Sequence, residues 1–159
     1  MKNRFYLLAM IAIAFTACSK EAKTLSGDYS YKKTGSIQIA TDTTSITLHL
    51  NNEIGQLNII DLNAEEGNKV MLVYNTMNGD IITTNATITG DTLKIDPYNR
   101  QLSIQTDSIS GKFDIEVRGY GVRYDNLILF NEIYEGEIEE NQNKAAVYGD
   151  NIKTIAERN

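Results

Sequence analysis

The residues able to do chemistry in this chain are few, and their spacing keeps most of them apart. Cys18 is the only cysteine and His49 the only histidine among 159 residues. A lone cysteine can form no disulfide within the chain, so only the chemistry of its own thiol is left to it. A catalytic triad, a histidine-containing zinc site and a Cys–His pair all need partners this sequence does not supply. His49 belongs to a stretch in which Ile46, Leu48 and Leu50 alternate with Ser45, Thr47 and His49. It therefore falls on the polar face of a half-buried strand. Asp61 to Gly67 has the acidity of a calcium loop, but Glu66 stands where an EF-hand needs glycine and Leu72 where it needs a bidentate glutamate. Glu132, Glu135, Glu137, Glu139 and Glu140 read as one solvated strand face and its exit turn. Gly119-Tyr120-Gly121 reads as a bulge or bend, with no helix behind it to receive a phosphate. These residues predict a protein that is not an enzyme, with no metal site and no cofactor.

The start of the chain carries an address. Lys2 and Arg4 precede an apolar run from Phe5 to Phe15, and small residues follow up to Cys18. A charged start, a short apolar core and a small-residue cleavage zone make an export signal. The run is shorter than the ~20 residues a membrane-spanning helix needs. Phe15-Thr16-Ala17-Cys18 resembles the lipobox of bacterial lipoproteins, although that family usually has Leu where Phe15 stands. The resemblance implies cleavage after residue 17 and lipidation of Cys18, with more than one acyl chain, enough for stable anchoring in an envelope membrane. An ordinary secretory cut at the same place would put bulky Phe15 where that peptidase needs a small residue. Residues 18–26 then form the lipidated cysteine and a polar tether. Surface lipoproteins of the Bacteroidota carry acidic residues just after the cysteine, and Glu21 alone partly matches. The expected location is the outer membrane, on its periplasmic face or at the cell surface.

Loss of residues 1–17 would remove Lys2 and Arg4 from the fifteen basic residues, leaving twenty-one acidic ones, and move the net charge from −6 to −8. Such a surface repels nucleic acid, and no basic run offsets it. Asp42-Thr43-Thr44, Asp91-Thr92-Leu93 and Asp107-Ser108-Ile109 each resemble the O-glycosylation acceptor of exported Bacteroidota proteins, which would modify Thr43, Thr92 and Ser108. Asp-Thr and Asp-Ser pairs also favour turns for their own reasons.

The elements that must hold these residues are strands. One proline, eleven glycines and many Thr, Ile and Asn suit a strand-and-turn protein. Asn78-Gly79 predicts a type I′ hairpin, and Gly90-Asp91 a two-residue turn that puts Ala86, Ile88, Leu93 and Ile95 on one face. Asp96-Pro97-Tyr98-Asn99 suits a type I turn. The whole predicts an all-β domain over 27–140, an antiparallel meander of about eight or more strands closing as a barrel or folding into a β-sandwich. Gly27-Asp28-Tyr29 resembles the Gly-x-Trp opening of lipocalin-like domains, with Tyr29 in place of Trp. That resemblance favours the lipocalin-like barrel. Residues 141–159 are either a polar tail or a short covering helix, with Asp150 as N-cap and Ile152, Ile155 and Ala156 as its apolar stripe.

Two functions follow from the two architectures. A barrel would hold a small apolar ligand against an inward stripe of Ile46, Leu48, Ile88, Leu93 and Ile95. A sandwich would bind a protein or glycan at the envelope, or serve only as structure.

Overall fold

In the computed structural model, which describes residues 22–41, 44–62, 67–105, 110–140 and 143–159, the chain closes on itself as an antiparallel barrel. Its strands are β1 (Gly27–Thr41), β2 (Ser45–Asp61), β3 (Lys69–Thr76), β4 (Ile81–Thr89), β5 (Thr92–Gln105), β6 (Ser110–Tyr124), β7 (Leu127–Glu140) and β8 (Asn143–Arg158). Each pairs with the next, and β8 returns to β1, so the order around the barrel is the order of the chain. A closed barrel, and not a sandwich of two sheets, is therefore the architecture. The lipocalin-like form fits it.

Closure follows from the period-two pattern. In β1, Tyr29, Tyr31, Ile37 and Ile39 are buried while Asp28, Ser30, Lys32 and Gln38 are exposed. In β6, Phe113, Ile115 and Val117 point in and Asp114, Glu116 and Arg118 point out. This apolar inside and polar outside is the reverse of a barrel that faces lipid. The β4–β5 turn is as the sequence dictates: Thr89 pairs with Thr92 and Ile88 with Leu93, and Ala86, Ile88, Leu93 and Ile95 are buried together.

Several elements differ from expectation. Asp150 to Glu157 is not a helix but part of β8, with Ile152, Thr154 and Ala156 buried and Ile155 half exposed. A register shift lies between Tyr134↔Gly149 and Glu132↔Ile152, and it breaks the alternation into a spacing that imitates a helix. The Asn78-Gly79 turn is in place, but only Gly79 has positive φ (89°), and Gly79 N–H donates to the Thr76 carbonyl. That is a three-residue loop ending in a left-handed glycine, not the two-residue type I′ turn. Asp96-Pro97 is a bulge within β5 and not a chain reversal. Gly119 and Gly121 continue β6 in regular register. The glycine at 121 instead makes room: a Cβ there would lie 2.7 Å from the ring of Phe130, its partner on β7. Tyr124 and Leu127 pair across an unanticipated turn at Asp125 (φ 48°) and Asn126.

The two barrel ends differ. At the end holding the β4–β5 and β6–β7 turns, residues 22–25 form one helical turn whose Ala22 and Leu25 are buried in the core. Here the expected tether is partly folded. Tyr29 donates its hydroxyl to the Leu25 carbonyl (2.9 Å), and Arg158 donates to the carbonyls of Thr24 (3.1 Å) and Ser26. The Arg158 guanidinium also lies over the Tyr29 ring, 5.7 Å from its centre. This end is sealed. The other end carries the β1–β2, β3–β4, β5–β6 and β7–β8 connections, and there Leu48, Leu50 and Leu102 are only half buried.

Candidate functional site

Charge is placed where alternation predicts apolar side chains. Lys33 on β1 and Glu132 on β7 both face inward and are 1 % exposed, with Nζ 2.7 Å from Oε2. Tyr134 is wholly buried beside them. Its hydroxyl accepts from Lys33 Nζ (2.9 Å) and from Arg100 Nη1 (3.2 Å) and donates to Glu132 Oε2 at 3.4 Å. Arg100 on β5 reaches Glu53 on β2 (3.4 Å), and Tyr31 donates to the same carboxylate at 3.3 Å. Aromatic rings enclose the cations. Lys33 Nζ lies 5.4 Å from the Tyr74 ring centre and 5.6 Å from that of Tyr134, and Arg100 lies 5.8 Å from the latter. Tyr31 and Tyr74 meet edge to face at 5.5 Å.

These residues form a belt across the middle of the barrel. The apolar groups toward the sealed end include Leu57, Leu72, Ile88, Leu93 and Phe130, and those toward the other end include Ile37, Ile39, Ile104 and Val147. Register shifts mark the same level: beside Lys33, between Ile95 and Tyr98, and between Glu132 and Tyr134. Bulges of this kind re-aim side chains, and here they bring charges from four strands together.

The belt balances its charges, two cations against two carboxylates, but not its hydrogen bonds. Tyr74 and Tyr98 hydroxyls, Arg100 Nε and Glu132 Oε1 are buried with no hydrogen-bond partner among the described residues. An unpaired polar group in such a place is costly. Burial is the strongest influence on Lys33 and opposes its charge, yet Glu132, Tyr98 and Glu53 together outweigh it and hold the ammonium above its ordinary value. Burial, with Glu132 next, raises the phenols of Tyr74, Tyr98 and Tyr134, and burial with Glu53 pushes Tyr31 up to about 12. At neutral pH the tyrosines are therefore neutral donors and acceptors.

A cleft in the barrel wall has Arg100 of the belt in its lining. β4–β5 pairing stops at Ala86↔Ile95, where Pro97 has no N–H to carry it on. Thr84 Oγ1 closes the step by donating to the Asp96 carbonyl (2.9 Å). Beyond it lies a space of about 480 Å³ lined by Ile81, Ile82, Thr83, Asn99, Arg100 and Lys112, among others.

The stripe expected to line a ligand site is divided. Ile88, Leu93 and Ile95 are brought together, buried, at the sealed end, whereas Ile46 and Leu48 are half buried at the other. Glu132 leaves the acidic face to which the sequence assigned it and is the buried partner of Lys33; Glu135 stays near the surface, 2.8 Å from Arg118. His49 is exposed, its Nδ1 2.9 Å from Ser36 Oγ. Thr92 is exposed at the β4–β5 turn; Thr43, Ser108 and Cys18 lie outside the described residues. Among the described residues, no group of three or more His, Cys, Asp or Glu could hold a metal ion. Neither any known protein-family model nor any curated protein matches this chain.

Proposed function

We propose that this protein is a lipid-anchored lipoprotein of the bacterial outer membrane that stores or carries a small apolar ligand in its lipocalin-like barrel, without catalysing a reaction. One observation carries the reading. The barrel is sealed at one end, while at the other, among the described residues, Ile37, Ile39, Ile104 and Val147 are buried but Leu48, Leu50, Ile82 and Leu102 are only partly covered, beside a belt with unmatched polar atoms. A small eight-stranded barrel is wide enough either to be filled by side chains or to hold one small ligand, and the partial cover of these leucines and Ile82 among the described residues supports the second for that half.

The anchor follows from the sequence: Cys18 is the lipidation site, the domain faces the periplasm or the exterior, and the exposed Thr92 is open to glycosylation. Wild-type protein partitions with membranes, and Cys18→Ala is released or left unprocessed. The mass of natively purified protein then shows lipid, any glycan and retained ligand together. Equal membrane association of both mature forms would remove the anchor. A native mass equal to that of the lipidated polypeptide alone, with no uptake of an apolar fluorophore, would remove the carrier and leave a structural lipoprotein.

A further inference from the structure

The guanidinium of Arg100 has three edges to satisfy, and the one that fits a carboxylate best is the one left under-used. Nη1 is taken by the Tyr134 hydroxyl at 3.2 Å. Nη2 meets Glu53 Oε2 only at 3.4 Å, long for a charge-assisted bond, which runs about 2.7–2.9 Å. Nε has no partner among the described residues, and the side chain is 10 % exposed. Nε and Nη2 form the parallel pair of donors that grips a carboxylate in two-point fashion. Glu53 does not use that grip: its side chain remains 22 % exposed, and its other oxygen has only a 3.3 Å bond from Tyr31. Arg100 also lines the β4–β5 cleft with Ile82, while Ile81, Lys112 and the single carboxylate of Asp80 lie on its exposed rim.

Resting on the carrier reading above, we infer that the ligand is an amphipathic monocarboxylate, its carboxylate seated on the Nε–Nη2 edge of Arg100 at the inner end of the β4–β5 cleft. It takes the place of Glu53, which turns toward the water it already touches. The charge balance of the belt favours this exchange. Lys33 and Glu132 neutralise each other at 2.7 Å, so one anion is needed for Arg100 and a second would be in excess. A ligand carboxylate in place of Glu53 leaves the interior neutral. Its apolar body then meets Ile82 and Leu102, both partly buried and packed against the core.

Decanoate and decanol, equal in chain length and different in head group, separate this inference from the reading beneath it. Calorimetric titration of the wild type gives decanoate binding at least about tenfold tighter than decanol, the worth of one charge-assisted contact. Arg100→Met abolishes that preference and leaves decanol binding in place. Glu53→Gln, which keeps the guanidinium and removes its competing carboxylate, tightens decanoate and leaves decanol unchanged; a residue of merely structural role would not act in that direction. Equal binding of the two probes by the wild type, or a Glu53→Gln variant that fails to tighten decanoate, overturns the carboxylate seat while the carrier reading stands. Binding of neither probe overturns both.

Discussion

Lys33 Nζ and Glu132 Oε2 lie 2.7 Å apart at the centre of the barrel, on the first and the seventh of its eight strands, with side chains 2 % and 0 % exposed. Removing one partner strands a charge in a dry interior. Lys33→Met is expected to destabilise the fold by ~3–5 kcal/mol, and the double change Lys33→Met with Glu132→Leu to recover most of that loss. Urea unfolding of the wild type, both single variants and the double variant measures the cycle. Additive losses would show that the two groups do not meet.

The same belt predicts how the fold responds to alkali. Tyr31, Tyr74, Tyr98 and Tyr134 are all raised above 10.0 by burial, and Lys33 is raised above 10.5 because Glu132, Tyr98 and Glu53 together outweigh its burial. A group whose folded pKa lies above its unfolded value binds more protons in the folded state, so its stabilisation is present at low pH and lost as pH rises. All five act with the same sign. Stability should be flat through neutrality and fall steeply above about pH 10. Tyrosinate absorbance and circular dichroism, followed together, should change in one step for the buried tyrosines. Full ionisation of every tyrosine in a barrel that keeps its strand signal would contradict the buried belt.

At the sealed end, Arg158 ties the last strand to the chain segment before the first. Arg158→Ala removes its bonds to the Thr24 and Ser26 carbonyls and its stacking on Tyr29. A loss of about 1–3 kcal/mol is expected, with faster hydrogen exchange confined to residues 22–31 and to the end of β8. Exchange spread evenly around the barrel would mean that the seal is not a local device.

Much of the barrel was legible because alternation reports which face of a strand is buried. Ala86, Ile88, Leu93 and Ile95 sit together as the Gly90-Asp91 turn requires. The belt was not legible, for a physical reason. Lys33 follows Lys32, and Glu132 opens a run of glutamates, so by composition both belong to a wet surface. Only the return of β7 and β8 to β1 places them in contact, and nothing local encodes that. β8 was missed because its register shift puts Val147 and Ile152 five residues apart, and Ile155 adds an exposed apolar residue that completes a false helical stripe. Arg100 stands just beyond Asp96-Pro97, whose residue types dictate a turn, whereas β6 pairs across both sides of it and carries the strand on.

The carrier reading is tested most directly by one substitution at each end of the barrel, Ile88→Phe and Leu48→Phe, with thermal midpoint and apolar-fluorophore uptake read on both. Ile88 is 2 % exposed at the sealed end, so the larger ring has nowhere to go and should cost ~1–3 kcal/mol. Leu48 is half buried at the opposite end, so its variant should keep the wild-type midpoint and lose fluorophore uptake. That split, stability lost at one end and binding lost at the other, is the result a half-open carrier requires. Equal destabilisation by both variants, in a wild type that takes up no fluorophore, would mean that the barrel is filled throughout and carries nothing.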